Sequence, residues 1–345
     1  MREVILFPIL QRSFGMAESS TSGFNDPDAY LAALRAMRVT SYVPASFDAF
    51  EARLARVNLD RLWLQSGSET AARSVHVALD PDRRPISFLA DDDTQTLLES
   101  GTEVAADTLV FYAPGATQYQ RSSGPTSWAS MSLTADDLHD AYRLIYDRTV
   151  NIPSEARYLT PPADRLRRLR SLHRTAVSLA SSSPHMLANH EVVKSLEHDL
   201  TLGMVACIAP GDDKRFNRAW YRHRQIMRRF SQWLETHGDQ PAHLLKVCAD
   251  LGVPARTLTL CCQEYLGMSP IRYLWLRRMR LARTALLTAE PSTTITAVAL
   301  NFGFVQLGRF AVSYRSLFGE SPSDTLARSA DHQEAPAKRT RVCQN

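Results

Sequence analysis

Cysteine is scarce in this chain, and its few cysteines are not arranged as ligands. Five occur in 345 residues, two of them adjacent (Cys261 and Cys262), and there is no C-x-x-C pair. This pattern fits neither a disulfide framework nor a zinc site. We therefore expect reduced thiols, as in a cytoplasmic protein.

Long apolar runs are missing as well. The early stretch VILFPIL at 4–10 is far shorter than the roughly 18 residues that a membrane-spanning helix needs. It lies between Arg2 and Arg12 without a small-residue cleavage site after it, which argues against a signal peptide. We expect no membrane partner, and we interpret residues 1–15 as an extension or an upstream start ahead of Met16.

Motifs that carry catalysis are also absent. The sequence has no phosphate-binding glycine loop and no G-x-S-x-G elbow, and His76 is the single histidine between residues 17 and 138. A metal centre there lacks its ligands, because such a site needs several histidines and carboxylates close together. We expect no enzyme activity, no metal and no cofactor.

Charge is divided unevenly along the chain. Residues 212–330 contain 17 Lys and Arg against 9 Asp and Glu, a net charge of +8, whereas residues 1–211 carry a net charge of −5. This division predicts that the second half alone meets a polyanion. The alternative is a basic solvated surface without a partner.

The first half reads as a β-rich domain with helices at its start. Two amphipathic segments, 26–37 and 46–57, are expected to be helical, the second with Ser46 as its N-cap. Turn residues separate four short strand-like runs, which favour a small barrel or sandwich: NLDRLWLQ (58–65), RSVHVAL (73–79), RPISFLA (84–90) and DTLVFYAPG (107–115).

After Pro161 the apolar period becomes helical. One stripe runs through Leu166, Leu169, His173, Ala176 and Ala180, and a second through Val192, Val193, Leu196 and Leu200. Together they predict a helical hairpin. Its stripes pack either against their own domain or against a second copy of the chain.

A unit of about 22 residues occurs twice in the second half. VCADLGVPARTLTLCCQEYLG (247–267) and VALNFGFVQLGRFAVSYRSLFG (298–319) align with Gly252 against Gly303, and both continue into Gly-x-Ser-Pro. Each reads as a helix, a glycine with positive φ, a hydrophobic residue and a second helix, which is a helix-turn-helix. The intervening segment 270–287, with Pro270 in its first turn, predicts a helix of roughly 27 Å.

The second helix of each unit has an outward face suited to DNA. Leu258, Cys261, Cys262 and Tyr265 step along one side and must be buried, which turns the opposite side to the outside. Arginine can contact guanine with two hydrogen bonds, and an outward leucine suits thymine methyl groups better than water. The candidate DNA-binding residues are Arg256, Thr259, Leu260, Gln263, Gln306, Gly308, Arg309, Val312 and Arg315, with Arg315 assigned to phosphate. Arg272, Arg277, Arg278 and Arg280 of the linking helix are either phosphate contacts or merely solubilising.

The residues from 226 to 327 resemble the DNA-binding domain of AraC/XylS-type transcription regulators. The resemblance rests on VCADLGV, EYLGMSPIRYL, ITAVALNFGF and YRSLFGESP at their relative spacings. It implies two helix-turn-helix subdomains joined by a long helix, an attached effector-sensing and dimerising domain, and transcription activation with double-stranded DNA and RNA polymerase as partners. Leu260, Cys262 and Val312 depart from the family pattern, so base preference cannot be transferred.

The first half resembles the cupin-like sensor domain that many members carry, chiefly in GTEVAADTLVFYAPG at 101–115. The resemblance implies a small-molecule effector in a dry pocket. Trp63, Tyr112, Tyr119 and Trp128 are the candidate lining residues, with aromatic core packing as the alternative for each.

These observations predict an α+β chain that acts as a homodimeric, effector-responsive DNA-binding regulator. Two alternatives remain open: a cupin-like enzyme, and a dimerising DNA-binding protein that needs no effector. The expected divisions are an extension (1–23), a cupin-like β-barrel sensor domain (24–160), a helical hairpin with linker (161–211), a DNA-binding domain (212–330) and a disordered tail (331–345).

Overall fold

A computed structural model gives the fold of residues 19–44, 50–91, 96–209, 212–213, 216–237, 244–290 and 292–328. The expected extension 1–15 and tail 331–345, and the proposed N-cap Ser46, lie outside these residues. Residues 20–23, which the sequence analysis placed in the extension, instead belong to a strand that pairs with the sheet.

The first half contains two antiparallel sheets that face each other. The larger sheet has the order β1-β3-β4-β11-β6-β9-β12-β13 and the smaller one β2-β5-β10-β7-β8. The strands are β1 (Ser20–Phe24), β2 (Met37–Pro44), β3 (Ala52–Leu59), β4 (Leu62–Glu69), β5 (Arg73–Leu79), β6 (Arg83–Leu89), β7 (Leu97–Glu99), β8 (Thr102–Val104), β9 (Leu109–Phe111), β10 (Thr117–Ser122), β11 (Thr126–Thr134), β12 (Arg157–Thr160) and β13 (Asp212–Asp213).

The mixed α+β class is confirmed, and of the two forms expected for the first half the structure shows the sandwich and not the barrel. Within the described ranges, no strand of one sheet is hydrogen-bonded to a strand of the other, so the pair forms an open sandwich. Register along each strand decides what the sandwich encloses, because alternate side chains point to opposite faces.

Two local predictions in this half also fail. The expected helix at 46–57 is wrong, because Ala52–Leu59 is strand β3, paired with both β1 and β4. The expected strand at 58–65 is a hairpin instead, turning at Asp60 with φ of 58°. Arg53 and Arg56, three positions apart, gave the segment a helix-like polar spacing, but pairing on both sides overrides that local preference.

Helices form the rest of the described chain. They are α1 (Pro27–Ala33), α2 (Ala135–Tyr146), α3 (Ala163–Ser182), α4 (His190–Ile208), α5 (Arg218–Thr236), α6 (Leu244–Leu251), α7 (Ala255–Leu266), α8 (Pro270–Leu287), α9 (Ile295–Asn301), α10 (Leu307–Phe318) and α11 (322–328). The expected helix at 26–37 is thus confirmed for its first half, with Asp26 as N-cap.

The predicted hairpin is α3 and α4, and its apolar stripes face the larger sheet. Leu166, Leu169 and Leu200 share one buried cluster with Leu59 and Met131 of that sheet. Packing within the same domain therefore accounts for these stripes.

The helix-turn-helix repeat is built twice with the same turn. Val253 donates its backbone N–H to the Cys248 carbonyl over 3.0 Å, and Phe304 donates to the Ala299 carbonyl over 2.8 Å. Gly252 and Gly303 take φ of 61° and 77°, a conformation that residues with a side chain rarely adopt.

The repeated Gly-x-Ser-Pro marks the end of one helix and the start of the next. Gly267 ends α7 with φ of 71°, and the Ser269 hydroxyl accepts from the Arg272 backbone N–H to begin α8. Gly319 and Ser321 do the same between α10 and α11. Helix α8 spans Pro270–Leu287 as expected, and its two halves contribute to separate buried clusters, one under each unit.

Candidate nucleic-acid interface and ligand cavity

The outward faces of α7 and α10 form two exposed surfaces, which we call the reading faces. The predicted inward residues of α7 are all buried, as are Phe310, Tyr314 and Phe318 of α10. All nine candidate DNA-binding residues are exposed: Arg256, Thr259, Leu260, Gln263, Gln306, Gly308, Arg309, Val312 and Arg315. The helices therefore present these side chains to the outside, as a DNA-reading helix must.

Within each face the candidates are spread along the helix. Arg256 lies in the first turn of α7 and Leu260 in the second, and the N-terminal part of such a helix meets base edges when it enters the major groove. Gln263 lies near its end, and its Nε2 donates to the Gly267 carbonyl over 3.3 Å. On α10, Arg309 lies in the first turn and Arg315 in the last.

Gly308 has no structural reason to be glycine. A Cβ added there would meet nothing within 4 Å, and the backbone is helical, where glycine is less favourable than alanine by roughly 1 kcal/mol. The missing side chain leaves room for something outside the domain to approach the backbone of α10.

Four arginines of α8 have contacts within the chain, and whether any of them also contacts phosphate stays a prediction. Arg277 donates to the Leu234 carbonyl over 3.1 Å, and Arg278 lies over the Phe304 ring at 5.2 Å. Arg280 reaches the first half of the chain, where it donates to Asp28 at 2.5 Å and to the Tyr42 carbonyl at 2.6 Å. The exposed Arg272 lies 4.5 Å from the centre of the Trp275 ring.

A cavity of about 50 Å³ lies between the two sheets. Tyr112 and Trp128 line it, as the sequence suggested, but two of the four candidates do not. Trp63 packs under the Arg83 guanidinium outside the cavity lining, and Tyr119 points out of the sandwich towards α5. The position of Tyr119 follows from strand alternation, which depends on register.

A buried polar network lies along the cavity wall, and no sequence pattern predicted it. Glu69 pairs with Arg73 at 3.0 Å, Arg73 donates to Gln120, and Gln120 donates to Glu99 over 3.3 Å. Tyr30 and Tyr42 also donate to Glu69. Nothing local to the sequence distinguishes these charged residues from exposed ones.

Three buried polar atoms in and beside this network have no hydrogen-bond partner among the described residues. They are Arg73 Nη1 and Gln118 Nε2 of the cavity lining and Glu99 Oε1, on side chains of residues that are at most 4% exposed. Burial raises the pKa of Glu99 to about 7, against smaller lowering effects from hydrogen bonds with Tyr112 and Gln120. Unpaired buried polar atoms are costly, so the two donors of the lining mark a place that favours a polar guest.

Strand β10 separates the cavity from the helix-turn-helix half. Its Gln118 and Gln120 face the cavity, whereas the intervening Tyr119 faces the helices and shares a hydrogen bond with Ser231 of α5. The Tyr119 ring also packs edge-on against Tyr265 of α7, with ring centres 6.1 Å apart.

The next outward residue of β10, Arg121, donates to the Gln263 carbonyl at the end of α7 over 3.2 Å. The adjoining hairpin turn also touches this helix: a Cβ on Gly101 would lie 3.1 Å from Glu264 Oε1 and from Tyr265. Helix α7, the first reading helix, therefore packs against the sandwich with its buried side and its C-terminal end, and its reading face stays exposed.

Among the described residues, no group of three or more His, Cys, Asp or Glu side chains is placed to hold a metal ion. No helix in the described ranges combines the length and the hydrophobicity that a membrane span requires.

Comparisons with known proteins agree with this geometry. Residues 247–328 match a family described as a helix-turn-helix domain. A probable thc operon regulatory protein of Rhodococcus erythropolis is 34% identical over 149 residues, which is 42% of this chain and 44% of that protein. The XylDLEGF operon transcriptional activator 2 of Pseudomonas putida is 44% identical over 75 residues, or 21% of this chain and 46% of that protein.

The chain thus covers less than half the length of either relative. The crystal structure of the AraC-like transcriptional activator CuxR covers 77% of this chain and 95% of its own, at 15% identity and a TM-score of 0.39. Residues 247–328 therefore form a helix-turn-helix domain similar to that of the two operon regulators, in agreement with the AraC/XylS resemblance of the sequence.

Proposed function

We propose that the protein is a sequence-specific transcription regulator that reads two neighbouring DNA boxes with one chain. The observation that carries the proposal is the pair of exposed reading faces, each with an unblocked arginine in or near its first turn: Arg256 and Arg309. Helix α8, which joins the two units, is roughly 27 Å long, and successive major grooves on one side of DNA are about 34 Å apart. The two lengths are similar enough for one chain to reach two neighbouring grooves.

The test is selection of bound duplexes from a random pool by the full-length protein. Two boxes about one helical turn apart should be enriched. Arg256→Ala should weaken the base preference in one of them and lower affinity 5- to 150-fold, which is the effect of losing one arginine that contacts a base. Arg309→Ala should blur the other. Arg168→Ala is the charge-matched control, because Arg168 is exposed on α3 in the first half.

Blurring of both boxes by either substitution would contradict separate reading by α7 and α10. Salt-sensitive binding without any enrichment would mean that the basic half holds phosphates only.

The first half is proposed to be the effector-sensing domain, with the cavity between the sheets as its ligand site. Two observations support this: the two unpaired donors in the cavity wall, Arg73 Nη1 and Gln118 Nε2, and the contact of β10 with α7 on the opposite side. Sites for drug-sized ligands usually measure 300–1,000 Å³, so such a ligand has to widen the cavity. Widening moves β10, and β10 carries the contacts with the first reading helix.

A thermal-shift screen of small molecules tests the ligand site. A compound that binds the folded state alone raises its stability by about 2.7 kcal/mol at a hundred times its Kd. The shift should be lost in Gln118→Leu, which removes one unpaired donor from the cavity wall. If the protein is a regulator without an effector, no compound should raise its stability. If it is an enzyme, it should convert a bound compound into a product, and that result would overturn our proposal that the chain has no catalytic activity.

Further parts of the proposal concern assembly. We propose the divisions 24–160, 161–211 and 212–330, action on promoters together with RNA polymerase, a homodimer and a cytoplasmic location. Leu144, 81% exposed on α2, supports a contact surface on the first half. Light scattering of the wild-type protein should give the mass of two chains, and light scattering of Leu144→Glu should give the mass of one chain.

A further inference from the structure

Both reading faces carry exposed aliphatic side chains. Leu260 on α7 is 55% exposed and Val312 on α10 is 72% exposed, although each helix has a well-filled buried side. Burying a leucine or valine side chain away from water is favourable, so each of these residues would be more stable if a binding partner covered it.

Each aliphatic residue has an arginine beside it on the same face. Leu260 follows Arg256 by four positions and Val312 follows Arg309 by three, and residues at these spacings are neighbours on a helix surface. The two units thus repeat one pattern: an arginine in or near the first turn and an aliphatic group about one turn later.

Contacts within the chain do not explain the pattern. The sandwich touches α7 through Tyr265 and the Gln263 carbonyl, not through the side that carries Leu260. Val312 belongs to neither buried cluster of the helix-turn-helix half.

The major groove offers one apolar group that matches such a side chain, the C5 methyl of thymine. We infer that Leu260 and Val312 read thymines through this methyl group, each close to the base that the neighbouring arginine contacts. The inference rests on the proposed function, since it requires α7 and α10 to enter the major groove. It makes the chain selective for a methyl group, in addition to the hydrogen-bonding edges of the bases.

Replacing thymine by uracil tests the inference, because uracil keeps the same base pairing and the same O4 acceptor and lacks only the methyl. The selection is run with the full-length protein on a thymine pool and on a uracil pool. Duplexes with a single uracil at each enriched thymine are then measured by fluorescence anisotropy. One uracil per box should weaken binding about fourfold, the effect of one buried methyl group.

Substitution of the protein completes a cycle. Leu260→Ala should bind the thymine duplex and the uracil duplex of its box equally, and Val312→Ala should do the same for the other box. Met186→Ala, at an exposed apolar residue between α3 and α4 in the first half, should keep the full discrimination.

The possible outcomes separate the inference from the proposed function. Enriched boxes with equal affinity for thymine and uracil at every position would overturn the inference and leave sequence-specific binding intact. Equal discrimination by wild type and Leu260→Ala would also overturn it for α7. If Leu260→Ala lowers transcription without changing either affinity, the side chain meets a protein partner and the inference is wrong. No enrichment in either pool would refute the proposed function itself.

Discussion

The hydrogen bond between Tyr119 and Ser231 gives a sharp test of how the two halves dock. Both residues are buried, at 4% and 3% exposure, and they belong to β10 and α5. Ser231 already donates its hydroxyl hydrogen to the Met227 carbonyl over 3.0 Å. Since a serine has one hydrogen to donate, the Tyr119 hydroxyl must be the donor of the shared bond.

This direction predicts that Tyr119→Phe destabilises the wild-type protein but stabilises the Ser231→Ala protein. In the wild-type chain it removes one satisfied hydrogen bond and should lower the free energy of unfolding by about 1 kcal/mol. Ser231→Ala leaves the Tyr119 hydroxyl buried without an acceptor, which should lower the free energy of unfolding by about 1–3 kcal/mol. Up to ~0.5 kcal/mol of this loss is offset because alanine is a better helix former than serine. Adding Tyr119→Phe to Ser231→Ala removes that stranded hydroxyl and should restore stability.

The assay is urea unfolding of the four full-length proteins, with the slope checked for constancy so that midpoints can be compared. The predicted coupling between the two positions is about 1 kcal/mol or more. Additive effects would refute the argument, because independent hydroxyls cannot rescue each other. If both substitutions were neutral within about 0.5 kcal/mol, the hydroxyls would face water and the docked arrangement would be wrong.

Three further predictions concern single sites. A Cβ on Gly67 would overlap the Trp128 ring, so Gly67→Ala should lower the free energy of unfolding by about 1–3 kcal/mol and shift tryptophan fluorescence. Gly23→Ala is the control, because a Cβ there meets nothing within 4 Å; equal effects of the two substitutions would contradict the packing. Glu99 has its pKa raised to about 7 by burial, so the folded state holds a proton that the unfolded state releases. Stability should therefore fall by about 3 kcal/mol as pH rises from roughly 4.5 to beyond 7; a Glu99→Gln protein with the same pH dependence of unfolding would refute this. Gly308→Ala should raise the free energy of unfolding by up to ~1 kcal/mol. Because the added methyl group occupies the space beside the α10 backbone, the same substitution should weaken DNA binding in anisotropy titrations; unchanged affinity would mean that this backbone does not approach DNA.

The second half of the chain was predictable because its rules are local. A glycine with positive φ, a serine N-cap and a proline in the first turn fix where α7 ends and α8 begins within four residues of sequence. The three-and-four spacing of Leu258, Cys261 and Tyr265 then fixes which side is buried. These signals act over one helical turn, and the bounds of α8 at Pro270–Leu287 agree with them.

The cavity and the docking surface were not predictable for the opposite reason. Tyr119 and Tyr112 both read as aromatic core residues, and only the register of β10 and β9 sends one out of the sandwich and the other into it. Asp28 and Arg280, 2.5 Å apart in space, are 252 positions apart in sequence. A pair so distant is set by the final packing of the sheets and helices, which no short pattern encodes.

The alternation of β10 has a consequence for how a ligand acts. Successive side chains of a strand point to opposite faces, so Gln118 and Gln120 cannot move apart from Tyr119 and Arg121 unless the strand itself deforms. A ligand that widens the cavity from the side of Gln118 must therefore shift the Tyr119 contact with α5 or the Arg121 contact with α7. The response then reaches the first reading helix inside a single chain, while α10, which these residues do not touch, receives it only through α8. It follows that an effector should alter the base preference or affinity of the α7 box more than that of the α10 box, and that a monomeric variant should retain the difference.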